Sequence, residues 1–473
     1  MTLVNDRPGA FELGDVILIS YQSFDGSGAP KRLDIRNLVQ EFSIYESIDG
    51  KFLSGDMTLL DATNAIQRLP ITGFERVEFF FRTPGTTKGF DFSVKTGHPM
   101  FVYSLQNRQG VNPRSQIYTL KFISLEAIRD HQTRISQAFA GGIDQMVIDI
   151  CKNYLNTKKD ILVEETKNVH KFVMPRLKPT QAIEQLRKVA KSKDYENSGF
   201  LFYENAMGFQ FKSYEGLYCR KDGSPRGVKA HYTPKVKNVG EGDIYNLQSV
   251  EEFKIVQQFN TLENTYNGVY SSRLITHDLF NKTFDEFDFD YNAEYGKQNH
   301  LEQDASGGKR DDNGILPYFN YDNGDTFGTK NEGTLFLQSE TRKIHNDYEP
   351  PDSTTILQKR ISQHIAAHNL VIEITVPGTT EINVGDIVHF AMPKYAPATE
   401  DDKKDQDKFL TGRYLISAAR HHVSTLNKRH TLVLELIKDS FNVGYPDEEL
   451  DLFTNNELDQ GEIYSASEVD DHT

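Results

Sequence analysis

The chain contains no tryptophan and only two cysteines, Cys151 and Cys219, in 473 residues. Two distant thiols cannot build a disulfide framework, and no CxxC pair is present for zinc or redox work, so both read as buried or free thiols. No stretch approaches the roughly 18 apolar residues needed to span a bilayer. The opening MTLVNDRPGAFELGD lacks the basic region and apolar core of a secretion signal. The expectation is a soluble protein made in a cytoplasm, without stable membrane insertion. GxGxxG, GxxxxGK[ST] and GxSxG are also missing, which removes the usual footholds for nucleotide binding and acyl transfer.

Positive charge is scarce in particular places. The formal net charge is -15, yet residues 277–332 hold 13 Asp/Glu against 5 Lys/Arg, and residues 441–473 hold 10 Asp/Glu and no Lys/Arg. The remainder is close to neutral, so nothing argues for a basic groove that binds nucleic acid by its phosphates.

The chain does carry β-rich runs, 31 Phe and 22 Tyr, and length enough for roughly two to four domains. Leu38 to Glu46, Phe52 to Leu60, Glu75 to Arg82, Phe101 to Gln106 and Ser115 to Ser124 read as strands, punctuated by Asp49-Gly50 and Asn112-Pro113. Gly142 to Leu155 and Pro179 to Ala190 carry helical apolar stripes, and Gly199 to Tyr203 with Gly208 to Tyr214 read as a hairpin. Strand character returns from Tyr245 to Tyr270. A polar stretch rich in Asp, Asn and Gly comes next, from Lys297 to Gly333. Ser353 to Asn369 reads as helix; Leu370 to Val376, Glu381 to Met392, Tyr414 to Ala419 and His430 to Lys438 read as strands.

One internal comparison organises these elements. GFERVEFFFRTP (Gly73 to Pro84) is echoed by GDIVHFAMP (Gly385 to Pro393), and each precedes a strand opening with Tyr, a polar turn and a strand with Thr-Leu near its start. The later hairpin is Tyr414 to Ile437, the earlier one Tyr103 to Ile123. The shared order points to a duplicated β domain. The expected fold class is therefore mainly β with α+β parts: two similar β-barrel domains flanking a small α/β module, with a polar insertion in the second half. The boundaries are 1–128, 129–235, 236–276 with 341–441, an acidic insertion at 277–340 and an acidic tail at 442–473.

Three groups of residues invite a chemical reading. His421, His422 and His430 lie on the two arms of the later hairpin, but strand alternation sends His421 and His422 to opposite faces. His364 and His368 form HIAAH, with Ile365 where a zinc protease needs its general-base Glu, so a polar helix face with two solvated histidines is expected. Asp288, Asp290 and Asn292 open like a calcium loop, but Ala293 and Asn299 occupy the positions that require Gly and Glu. No catalytic, cofactor-binding or metal residue is assigned, and no cofactor is expected.

The order of these elements, with INVGDIVHFAMP, FLTGRYLISAARHHV, HTLVLELIKDSF and LITHDLFNKTFDEFDFDY (Leu274 to Tyr291), resembles the baseplate hub proteins of contractile-tailed bacteriophages of the T-even type. The resemblance covers nearly the whole chain in outline through short motifs; the acidic tail and Asp/Gly-rich insertion depart from it. It implies a non-enzymatic homotrimer in the virion tail baseplate, in which two similar β-barrel tube domains per chain give six quasi-equivalent units. Such a ring joins a central spike protein to a hexameric tail tube protein, contacts surrounding baseplate proteins and leaves a channel for DNA. Readings from other classes are a tail-associated cell-wall or polysaccharide hydrolase and a glycan-binding tail-tip module.

Overall fold

The computed structural model describes residues 8–73, 75–86, 89–195, 197–234, 248–278, 281–302, 334–340, 353–393, 406–407 and 409–441. Segment 442–473 and most of the polar insertion lie outside them.

The first β unit holds β1 (Glu12–Leu13), β2 (Ile17–Phe24), β3 (Pro30–Asp34), β4 (Val39–Ser47), β5 (Ser54–Asp61), β6 (Arg76–Glu78), β7 (Phe80–Arg82), β8 (Gly89–Asp91), β9 (Met100–Asn112) and β10 (Ser115–Ser124). In β10 the period-two pattern sends Tyr118, Leu120 and Phe122 into a core shared with Phe42, Met57, Leu59, Phe79 and Phe81. The rings of Phe42, Phe79 and Phe81 meet edge to face at centroid distances of 5.3 and 5.5 Å.

The α/β module comes next, with β11 (Ile135–Gly141), β12 (Ile161–Val163), β13 (His170–Leu177), β14 (Phe200–Asn205) and β15 (Gly208–Ser213). The helices Ile143–Asn153 and Pro179–Val189 start where the sequence predicts, the second with Pro at its first turn, where a missing N–H costs nothing. Met146, Val147, Ile150 and Cys151 of one and Ala182, Ile183 and Leu186 of the other fill one core. The antiparallel pair β11–β13 was not expected: Ile135–Gly141 buries only Ile135 and Phe139 fully, too sparse a signal for alternation to show.

The second β unit comprises β16 (His231–Pro234), β17 (Ser249–Val250), β18 (Glu252–Gln257), β22 (Leu370–Pro377), β23 (Ile387–Phe390), β24 (Gly412–Ser424) and β25 (Arg429–Lys438). Between β18 and β22 lie the short helix Thr261–Tyr266, a sheet of β19 (Ser271–Asp278), β20 (Thr283–Asp290) and β21 (Leu335–Glu340), and the helix Ser353–Ala367. Two expectations are corrected here. The Tyr245 to Tyr270 run is interrupted by the helix Thr261–Tyr266, capped by the Asn260 side chain accepting from the Glu263 N–H. The Glu381 to Met392 run is strand only from Ile387, because residues 383–386 turn: the Asn383 N–H donates to Asp386, and Gly385 takes a φ of 88° with the Tyr203 hydroxyl packed where a Cβ would stand.

The two units repeat the same construction. In the first, β4, β5, β10, β9, β6 and β2 are successive neighbours; in the second, β18, β22, β25, β24, β23 and β16 are. The first five strands of each set keep the same chain order, and all pairings among them are antiparallel. The sets diverge at the sixth: β2 is antiparallel to β6, whereas β16 is parallel to β23. The architecture is thus mainly β, with two similar β units flanking a small α/β module. The 113–114 and 425–428 turns of the two hairpins correspond, and both long arms, β9 and β24, are 13 residues long.

Candidate functional site

A chain built twice from the same strand set joins its halves in one way and leaves the equivalent joint open. The first four residues of β24 pair with β23, and the rest of the same edge, Ala418 to Ser424, pairs antiparallel with Ser47 to Glu41 of β4, the first strand of the other unit. By the repeat, β9 corresponds to β24 and β18 to β4. The start of β9 likewise pairs with β6 at Met100 and Phe101. Beyond Val102, however, no strand among the described residues covers that edge, and the edge of β18 away from β22 is equally uncovered.

Unpaired edges are templates for another strand, and monomeric proteins blunt them with charge, proline or cover. Both edges carry exposed apolar side chains beside charged ones, Arg108 on β9 and Glu252 and Lys254 on β18. Tyr103 and Val111 on β9 are 53% and 58% exposed, and Val256 and Phe259 on and just after β18 are 53% and 67% exposed. Nearby Leu262 and Tyr266 are also exposed.

Buried polar groups lock the three parts of the chain together. The Glu46 carboxylate on β4 accepts from the Ala206 N–H (2.9 Å) in the module and from the Val384 N–H (3.2 Å) in the second unit. Burial pushes its pKa up to about 8. Lys159, fully buried, donates to Glu126 (2.7 Å) and Glu204 (2.5 Å), while Glu204 also accepts from the Leu53 N–H and the Ser124 hydroxyl. Burial opposes the Lys159 charge, but the Glu204 and Glu126 carboxylates outweigh it and hold the ammonium protonated. Sequence reasoning missed all four residues, since a single Glu or Lys, whether in a strand, helix or loop, gives no sign that it faces inward.

The histidines separate as alternation requires for His421 and His422. His422 sits beside Ser43 (3.2 Å) on the partly exposed face. His421 is wholly buried, and there it meets His430, Nδ1 to Nε2 at 3.2 Å, with the rings stacked at 5.3 Å between centroids. Phe81 and Phe90 of the first unit close over the pair edge to face. The position of Gly378 admits no side chain, because a Cβ there would penetrate the His430 ring. Burial pushes the His430 pKa down to about 3 and that of His421 well below its ordinary value, so both rings are neutral at pH 7. Two imidazoles come together, and no cluster of three or more metal-ligating side chains occurs among the described residues.

His364 and His368 lie at the end of the helix Ser353–Ala367, with rings 5.1 Å apart. His364 contacts the Tyr214 hydroxyl (2.8 Å) but stays exposed, as expected, whereas His368 is half-buried with Nε2 3.6 Å from Asp49, so the expectation of two solvated rings is corrected for His368. Asp288 and Asp290 are strand residues of β20, not a loop; Asp288 takes a two-pronged contact from Arg273 at 2.7 and 3.1 Å, and Asn292 falls in the helix Tyr291–Tyr295.

Comparison with known protein families finds no match, and neither does comparison with curated proteins. Among solved structures the chain is similar to the tail protein from Neisseria meningitidis MC58, at a TM-score of 0.50 and 11% identity over 91% of this chain and 97% of that one. It also aligns with the prophage MuSo2 43 kDa tail protein from Shewanella oneidensis (TM-score 0.45, 10% identity, 90% and 98% covered) and the prophage tail protein gp18 from Listeria monocytogenes EGD-e (0.44, 9%, 90% and 94%). The likeness to the Neisseria protein spans nearly both chains, and this chain shares that protein's fold.

Proposed function

We propose that this protein is the structural hub of a phage-type contractile tail baseplate, a homotrimer whose six β units form a ring between a central spike and a hexameric tail tube. In this reading the boundaries expected from sequence, 1–128 and 236–276 with 341–441 for the ring and 129–235 for the bracing module, shift slightly: β16 (His231–Pro234) joins the second β unit, and β19 (Ser271–Asp278) joins the inserted sheet. The observation that carries the reading is the repeated joint. Within the chain, β4 of one unit pairs with β24 of the other, and the equivalent strands β18 and β9 are left with open edges that carry exposed apolar side chains.

Antiparallel pairing of β18 in one copy with β9 in the next would make the joint between copies match the joint within them. Such a contact is heterologous, and a heterologous contact closes into a ring when its rotation divides the circle. Three copies with two units each satisfy a threefold partner on one side and a sixfold one on the other. The near-neutral charge of the body outside its acidic segments suits a channel through which DNA slides without being held. Docking of spike, tube and baseplate proteins is the activity of this reading, and it requires no catalytic step.

The test is size-exclusion chromatography with light scattering, on the protein alone and co-expressed with a trimeric spike protein from the same genome. A mass of three copies, alone or with bound spike, is expected. A strict monomer that binds no spike refutes the proposal.

A further inference from the structure

A cleft of about 610 Å³ opens between the α/β module and the loop that leads into the second β unit. Its charge is opposite to that of the chain as a whole. Lys212, Arg220, Lys221, Arg226 and Lys229 line it, against Glu164 and Asp194. The two carboxylates are already engaged: Asp194 pairs with Lys221 at 3.1 Å, and Glu164 accepts from the Ser213 N–H and hydroxyl, both at 2.9 Å. Arg226 is held in place by the Leu217 and Gly385 carbonyls, which fix its guanidinium without neutralising it. Lys212 has no hydrogen-bond or ion-pair partner among the described residues. Burial, and then Arg226, push its pKa below the ordinary lysine value, as expected of a cation in an unbalanced positive site.

The described chain ends three contacts from this cleft. The Ser440 hydroxyl accepts from the Glu302 N–H (3.0 Å), Glu302 accepts from the Arg413 N–H (2.6 Å), and the Arg413 guanidinium donates to the carbonyl of Arg226 in the cleft wall. The segment after it is acidic: residues 442–473 carry Asp447, Glu448, Glu449 and Asp451 near their start, ten Asp/Glu in all and no Lys/Arg. At about 3.3 Å per extended residue, even its first ten residues reach far beyond the few contacts that separate Ser440 from the cleft. We propose that the cleft is a carboxylate-binding site whose occupant is the acidic segment 442–473 of the same chain. The segment neutralises a cationic site that would otherwise capture anionic polymers, including the DNA that the ring reading requires to pass freely.

Zero-length carbodiimide cross-linking of the full chain, mapped by peptide mass spectrometry, tests this. At low ionic strength, links are expected from Lys212, Lys221 or Lys229 to carboxylates between 447 and 471. Their yield should fall about tenfold in about 1 M salt, where the screening length is about 3 Å. It should also fall in the quadruple variant Asp447→Asn, Glu448→Gln, Glu449→Gln, Asp451→Asn, which leaves the cleft and the fold untouched. The proposal is overturned if cleft lysines link to the segment no more often than distant exposed Lys254, or if the yield is unaffected by salt and by the variant. Links between isotopically heavy and light copies in a mixed sample overturn the same-chain assignment.

Discussion

Acid should loosen this protein through one buried pair, and the size of the effect can be worked out. In the unfolded chain both His421 and His430 titrate near the ordinary histidine value of about 6.5. Folded, both are neutral because burial among Phe81, Phe90 and Gly378 disfavours the charged ring, with the His430 pKa pushed down to about 3. Between these values the unfolded chain binds protons that the folded one refuses, so the stability fully present above about pH 6.5 is lost as pH falls. At pH 5 the gap is about 1.5 units, costing about 2 kcal/mol per imidazole and about 4 kcal/mol for the pair. That is a large part of the roughly 5–15 kcal/mol that holds a domain folded. The comparison is with the double variant His421→Leu/His430→Leu, which fills the site with apolar side chains of similar size. Guanidinium denaturation tracked by circular dichroism and Tyr fluorescence, at pH 7.5 and pH 5, gives the difference; the chain has no Trp to use instead. The native protein should lose about 4 kcal/mol more than the variant on acidification. Parallel losses in the two proteins would refute the reasoning.

Other consequences can be tested separately. Replacing Tyr103 and Val256 by Lys puts charge on both open edges and removes burial worth about 1.5–3 kcal/mol at each, so self-association should weaken by about tenfold to a hundredfold per site with the melting temperature unchanged; light scattering across a dilution series reads this, and undiminished assembly would place the interface elsewhere. Lys159→Met leaves the Glu126 and Glu204 carboxylates buried without their cation and should cost about 3–5 kcal/mol in chemical denaturation; a loss under about 1 kcal/mol would mean the two acids share the site by protonation. Glu46 is raised to about 8 from an ordinary value near 4.5, so its contribution is complete below pH 4.5 and is lost as pH rises through 8. Glu46→Gln should therefore melt with a flatter pH dependence between pH 6 and 9, and identical slopes would count against a buried neutral acid.

Whether a feature is legible in the sequence depends on whether neighbouring residues or distant ones decide it. The helix stripes at Met146 to Cys151 and Ala182 to Leu186, and the alternation of Tyr118, Leu120 and Phe122, are local patterns and are readable. So is the repeat, because GFERVEFFFRTP and GDIVHFAMP each precede a hairpin of matching length, and that order reappears in the pairings of β6, β9 and β10 and of β23, β24 and β25. Strand geometry alone separates His421 from His422. It does not bring His421 to His430, since their meeting depends on the hairpin register and on rings brought in from residues 81 and 90. Least legible is the inequivalence of the two halves. β9 and β24 hold the same place in the repeat, yet β24 is covered along its length and β9 is bare beyond Val102, because the one chain has a single β4 to give. A repeat pattern tells that two units are alike; which of their edges is satisfied depends on how many copies stand beside them. The uncovered edge of β9 is therefore what turns a duplicated fold into an argument for assembly.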